Sequence, residues 1–143
     1  MDGKIIIVGA TGYTGSALAK SLKKENIDCH LIGRNEAELQ KLANETGQSY
    51  SVCSNVSDEQ SVNESLSSIE NDKILGFAYC VGSIVLKSFQ TTKTDDFINT
   101  FNLNVLGAIH FIKKLQKQLA ENNGSIVLFS TVAVDRGFNM HSV

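Results

Sequence analysis

What the sequence lacks narrows its function first. Neither sign of charge dominates: 13 Lys and Arg stand against 15 Asp and Glu, for a formal net charge of -2. That balance gives no electrostatic case for nucleic acid or an anionic membrane as a partner. No apolar run approaches the length of a bilayer span, and the chain starts without a charged, apolar, small-residue leader. The expectation is a cytoplasmic protein. The cysteines, Cys29, Cys53 and Cys80, are odd in number and lack CxxC spacing. Each lies within or at the end of a strand-like run, so they read as reduced, buried thiols and no metal site is expected. No carboxylate pair, metal-ligand cluster or nucleophile with an adjacent base is visible. Proline is absent altogether, which carries no functional reading.

What is present centres on Lys4 to Gly15, KIIIVGATGYTG. Ile5, Ile6, Ile7 and Val8 are a β-branched run that reads as a strand buried on both faces. It ends in glycine. Gly9, Gly12 and Gly15 follow at intervals of three, and from Ser16 onward Ala17, Leu18 and Leu22 take up a helical period. In a strand–turn–helix context the three glycines have separate uses. Gly9 lets the chain reverse, Gly12 lets the backbone approach a pyrophosphate, and Gly15 lets the helix lie close on the sheet. Thr11, Tyr13 and Thr14 fill the turn, and the unpaired N–H groups of the helix start favour phosphate. No Lys-Ser or Lys-Thr pair follows the last glycine, which argues against a phosphate loop of the ATPase kind.

A length of 143 residues suits one domain with a single core. After the first helix, strands are expected at Ile27 to Ile32, Tyr50 to Cys53, Ile74 to Val81 and Ser125 to Phe129, with helices at Glu36 to Thr46, from Ser57 to Asn71, and from Asp95 to Ala120, the last as a short helix leading into a long one. Along the last helix, Phe101, Val105, Ala108, Ile109, Ile112, Leu115 and Leu119 are expected to cover the sheet. Regular alternation of strand and helix implies an α/β fold with a doubly wound parallel sheet. Ligands in such sheets bind at the carboxyl ends of the strands near the switch point. Gly9 to Gly15, Gly33-Arg34, Ser54-Asn55-Val56, Cys80-Val81-Gly82 and Ser130-Thr131 all fall at strand ends, so they should line one crevice.

At these residues the chain resembles the short-chain dehydrogenase/reductase family over essentially its whole length. GATGYTG is similar to the family's glycine motif in its GxxGxxG form, with Tyr13 where other members have their middle glycine. Ser54-Asn55-Val56 matches the adenine-contacting Asp-Val, with Asn55 in the aspartate's place. Tyr79-Cys80-Val81-Gly82 stands at the family's Asn-Asn-Ala-Gly and keeps only the glycine. Asn104 in FNLNVLGA matches the family's helix asparagine, a catalytic residue that by the resemblance holds the water feeding the proton relay, and SIVLFSTVAV resembles the strand ending in the catalytic serine, which puts that hydroxyl on Thr131 with Ser130 the alternative. The resemblance implies a three-layer Rossmann fold with strand order 3-2-1-4-5, spanning residues 1–143 as one NAD(P)-binding domain. It also implies a small carbonyl or alcohol substrate and a homo-oligomer formed through the long helix, residues 101–120.

The family's Tyr-x-x-x-Lys pair lies about a dozen residues beyond the catalytic serine. No Tyr follows Tyr79 and no Lys follows Lys117. The chain therefore reads as the amino-terminal part of a longer enzyme, C-terminally incomplete and inactive alone, with Leu103, Leu106 and Phe111 left uncovered on the long helix. At the end of the second strand, where NAD-selective sites place a carboxylate, stand Gly33, Arg34 and Asn35. Arg34 can fork onto a 2′-phosphate, so NADP is expected over NAD, with Asn35, Asn55, Val56, Cys80, Val81 and Gly82 lining the cofactor. His30, His110 and His141 do not read as catalytic. Two further readings compete: a catalytically silent dinucleotide-binding module, suggested by the missing Tyr-Lys pair, and a nucleotide-sugar epimerase or dehydratase, suggested by the glycine spacing.

Overall fold

In the computed structural model, residues 3–143 are described. Strands β1 (Lys4–Val8), β2 (Cys29–Gly33), β3 (Ser49–Val52), β4 (Ile74–Tyr79) and β5 (Ser125–Leu128) form one sheet in the order β3-β2-β1-β4-β5. Every pairing is parallel, with Ile6 opposite His30 on one side and Phe77 on the other, and Tyr79 opposite Leu128. Parallel neighbours need crossovers, supplied here by helices α1 (Tyr13–Lys24), α2 (Glu36–Thr46), α3 (Glu59–Leu66), α4 (Thr94–Phe101) and α5 (Gly107–Glu121). The expected α/β architecture and strand order are both present.

The β-branched run of β1 is central because both its faces are buried: Ile6, Ile7 and Val8 have no exposed surface. Side chains alternate across a strand, so Ile7 joins Leu31, Ala19 and Leu39 under α1 and α2. Ile6 and Val8 join Val62, Phe77, Phe111 and Leu115 under α3 and α5. Three layers result. Both outer strands differ from β1: β3 is half-buried or exposed along its length, and all four residues of β5 are exposed. Asn35 caps α2 through a bond from the Glu38 N–H, and Asp58 caps α3 through one from Ser61.

The long helix departs from its expected phase. Between α4 and α5 the chain makes a π-helical turn, Asn102–Leu106, in which the Gly107 N–H donates to the Asn102 carbonyl five residues back. One extra residue in a turn rotates everything after it by about 100° relative to a continuous α-helix. Ala108, Leu115 and Leu119 are buried as expected, yet Phe101, Val105 and Ile109 are exposed. Phe111, expected to lack cover, is 0% exposed and stacks on Phe77 with ring centroids 6.0 Å apart. Leu103 and Leu106 are half-buried, Leu103 packing against the core. The expected Ser57–Asn71 helix is shorter, its end tightening into a 3₁₀ turn at Ser67–Ile69.

Candidate dinucleotide site

The order reverses between β1 and β4, and the parallel register brings all the strand ends to one side of the sheet. There β1 turns sharply. Gly9 has φ +78°, in the left-handed region, and a Cβ on it would lie 2.9 Å from the Cys80 carbonyl carbon. Its N–H and that of Ala10 both reach the Ile32 carbonyl, at 2.9 and 3.0 Å, and the Gly12 N–H closes the turn on the Gly9 carbonyl at 3.0 Å. The turn is thus tied to β2 and crowded against β4. At Gly15 a Cβ would strike the Gly9 carbonyl oxygen and come within 2.8 Å of the Ala10 Cα, so the absence of a side chain sets how closely α1 approaches.

Gly12 is different. A Cβ there would find one neighbour, the Gly9 carbonyl oxygen at 3.3 Å, and otherwise open space. Gly12 is the residue preceding α1, with no side-chain cap and no acidic residue in the first turn of the helix. The N–H groups of that turn have no partner within the helix, and the positive end of the helix dipole lies behind them. The open backbone at Gly12 and donors without competing carboxylates are what a pyrophosphate would need there. Tyr13 is 94% exposed beside it. Thr11 is half-buried and Thr14 exposed.

The neighbouring strand ends supply the rest of the crevice. Arg34, after β2, is exposed and enters none of the ion pairs among the described residues. Asn35 spends its side chain on the α2 cap. Asn55 accepts from the Ser57 N–H at 3.0 Å and so shapes its own turn, while Val56 beside it is buried. After β4, Cys80 and Val81 are half-buried and Gly82 is exposed. Burial pushes the Cys80 thiol up, so this sulfur at the crevice stays protonated.

Asn104 lies within the π turn and holds Ser83 at two points. Its Oδ1 accepts from the Ser83 N–H and its Nδ2 donates to the Ser83 carbonyl, both at 2.9 Å. Ser130 and Thr131 follow β5 and are exposed. The Thr131 Oγ1 accepts from the Ala133 N–H at 3.2 Å, capping a short 3₁₀ turn, and this leaves its own proton free to donate.

Two features of the site have no signal in the sequence. Ser83, the partner of Asn104, is 21 residues from it. Lys87 donates to both oxygens of Asp96 at 2.9 and 2.8 Å, and through its backbone holds the segment 140–142: its N–H donates to the Met140 carbonyl, and its carbonyl accepts from Ser142. The bonds from Lys87 and the Lys93 N–H hold the Asp96 carboxyl below its usual range. The histidines lie elsewhere or are engaged locally: His30 is buried in β2, His110 contacts the Val56 carbonyl, and His141 the Asn139 carbonyl. Among the described residues no cluster of His, Cys, Asp and Glu is placed to hold a metal ion, and no helix is long and apolar enough to cross a membrane.

Comparison with known proteins bears on the fold. The family model described as short chain dehydrogenase matches residues 3–143. Among solved structures, a short-chain type dehydrogenase/reductase from Mycobacterium ulcerans superimposes with a TM-score of 0.89 at 17% identity, over 99% of this chain and 55% of its own. Serine dehydrogenase from Escherichia coli gives 0.88 at 18% identity, over 98% and 67%. An actinorhodin polyketide ketoreductase variant with NADPH gives 0.89 at 16%, over 99% and 57%. The chain thus spans between about half and two thirds of the length of these relatives. A comparison with curated proteins gave no match.

Proposed function

Since the chain belongs to the short-chain dehydrogenase family, we propose that it binds NADP in the crevice above β1 and β4 and serves hydride transfer between the nicotinamide and a small carbonyl or alcohol. The observation that carries this reading is the open, uncapped helix start at Gly12, where a side chain would stand in the way of a pyrophosphate reaching the backbone. When bound, the dinucleotide supplies the hydride donor or acceptor. The residues of this chain bind and orient. The first turn of α1 holds the pyrophosphate, and the backbone of Cys80 to Gly82 and the Asn55-Val56 turn line the flanks. Arg34, exposed and unpaired at the end of β2, is placed for the 2′-phosphate. Thr131, with an unspent hydroxyl proton, is the group to hold a substrate carbonyl oxygen, and Ser130 is the neighbouring alternative.

Residues 1–143 contain no Tyr-x-x-x-Lys pair, so what this chain itself contributes is binding and orientation, and the test is a binding test. Titration calorimetry should show NADPH bound more tightly than NADH. Arg34→Asp should weaken NADPH by about 10- to 100-fold, the loss of one charge-assisted bond worth about 1.5–3 kcal/mol, and favour NADH, because a carboxylate repels the 2′-phosphate and accepts from a 2′-hydroxyl. Equal affinity of the parent chain for both cofactors overturns the NADP assignment. As a second partner we propose another copy of the chain, seated on the exposed stripe of Phe97, Phe101, Val105 and Ile109, which recur every fourth residue along α4 and α5.

A further inference from the structure

The π turn is locked from the sheet. Tyr79, the last residue of β4, is buried, with its ring tilted against Phe77 and Phe111 at centroid distances of 6.4 and 6.5 Å. Its hydroxyl donates to the Leu103 carbonyl at 2.6 Å. In an α-helix that carbonyl takes the N–H four residues on, at Gly107, but here the Gly107 N–H reaches past it to Asn102. The hydroxyl occupies the acceptor that the π turn releases. Room for it exists because residue 107 is glycine: a Cβ there would strike the Tyr79 hydroxyl and lie 2.9 Å from Val56 Cγ2. Burial, with Cys53 adding to it, pushes the Tyr79 hydroxyl far above its ordinary value, so it remains a donor throughout the working pH range.

The next residue after Leu103 is Asn104, and four residues after Tyr79 comes Ser83. Two rungs therefore join the same two segments: Tyr79 to Leu103, and Ser83 to Asn104. We propose that Tyr79 is a positioning residue, whose hydroxyl holds the π turn in place so that Asn104 faces Ser83 and fixes the Gly82-Ser83 backbone at the rim of the dinucleotide crevice. Without the hydroxyl, the turn relaxes to α geometry and the rotation of about 100° per residue carries Asn104 away from Ser83. That the rim serves a dinucleotide rests on the function proposed above; the coupling of Tyr79 to Asn104 does not.

The test is a double-substitution cycle on the whole chain, combining Tyr79→Phe, which keeps the ring, with Asn104→Ala. Amide exchange at Ser83, whose N–H is held by Asn104, is read by nuclear magnetic resonance, and NADPH affinity by calorimetry. Each single variant should speed Ser83 exchange by about tenfold, as expected for one lost hydrogen bond, and the double variant should be no faster than either. NADPH affinity should fall by the same factor in all three. Ser83 exchange unchanged in Tyr79→Phe overturns the proposal, as does a Tyr79→Phe effect of the same size in both backgrounds, which marks a purely structural hydroxyl. If Tyr79→Phe does not fold, Gly107→Ala, whose methyl takes the hydroxyl's space, should speed Ser83 exchange in the same way, and unchanged protection there overturns the proposal equally. A wild-type chain that binds no NADPH refutes the function proposed above, while Ser83 exchange still decides the role of Tyr79.

Discussion

At His30 the protonation state follows from a chain of hydroxyls. Ser51 has one proton and gives it to the Ser65 carbonyl at 2.6 Å, so toward the His30 Nε2, 2.9 Å away, it can only accept. Nε2 therefore carries the ring proton, and Nδ1 accepts from the Ser49 hydroxyl at 2.8 Å. A second proton would have to sit on Nδ1 and displace that bond. Burial, reinforced by Lys4 and opposed by Asp72, lowers the His30 pKa to about 4. An unfolded histidine titrates near 6.5, so between those values the unfolded chain binds more protons, and stability is lost as pH falls from about 6.5 to 4, by about 3 kcal/mol in all. Urea midpoints measured across that window should show the loss, and His30→Gln should flatten it. A parent chain equally stable at pH 4.5 and 6.5 would refute this. Sequence alone excluded His30 from catalysis but could not see its partners, because Ser49 and Ser51 meet it only through the pairing of β2 with β3. The position of Arg34 was more legible, since it depends only on where a strand ends.

Two elements show the contrast between what local pattern reveals and what packing decides. The glycine turn before α1 was readable because the order strand, turn, helix dictates a reversal at Gly9 and a close approach at Gly15, while the use of Gly12 is left to test. Gly12→Val adds atoms into open space, so the fold should survive with an unaltered circular dichroism spectrum while dinucleotide binding is lost. Gly15→Ala forces a methyl into the Gly9 carbonyl and should cost about 1–3 kcal/mol in chemical denaturation, as overpacking does. If Gly12→Val unfolds the chain, the opening is a backbone requirement and not a ligand cradle. A short helix leading into a long one is present, but the face of the first was misread, because helical periodicity assumes an unbroken 3.6-residue repeat and the polar Asn104 marks a break without giving its geometry. Its cause, the Tyr79 hydroxyl fitted against Gly107, lies in another element. The insertion leaves Phe101 and Val105 outward relative to the buried face of α5, on which Phe111 lies with Ala108, Leu115 and Leu119 at ordinary α spacing.

At the scale of the molecule, alternation of strand and helix was enough for the layers and the parallel sheet, and family resemblance supplied the strand order. What covers the outer surfaces could not be read from pattern, because exposure depends on neighbours. Ile126, Val127 and Leu128 on β5, and Phe129 just after it, are exposed together with the stripe of Phe97, Phe101, Val105 and Ile109. Apolar surface in such patches promotes association. Sedimentation of the chain should therefore show concentration-dependent self-association, and Phe101→Glu, a change on the stripe and outside the core, should shift it toward monomer without lowering the melting temperature. A parent chain that stays monomeric at all concentrations would count against the second copy proposed for that stripe. The strand order also has a consequence for how the chain is born. The central strand is made before the four strands that flank it, and β2 and β3 can join it on one side as soon as they emerge from a ribosome. Its other flank must wait for Ile74–Tyr79. At about 5–20 residues per second, the delay after β3 lasts on the order of seconds. Throughout it Ile6 and Val8 present an unpaired, apolar edge, so the half-made chain is most exposed to aggregation, and most in need of a chaperone, in the interval between its third strand and its fourth.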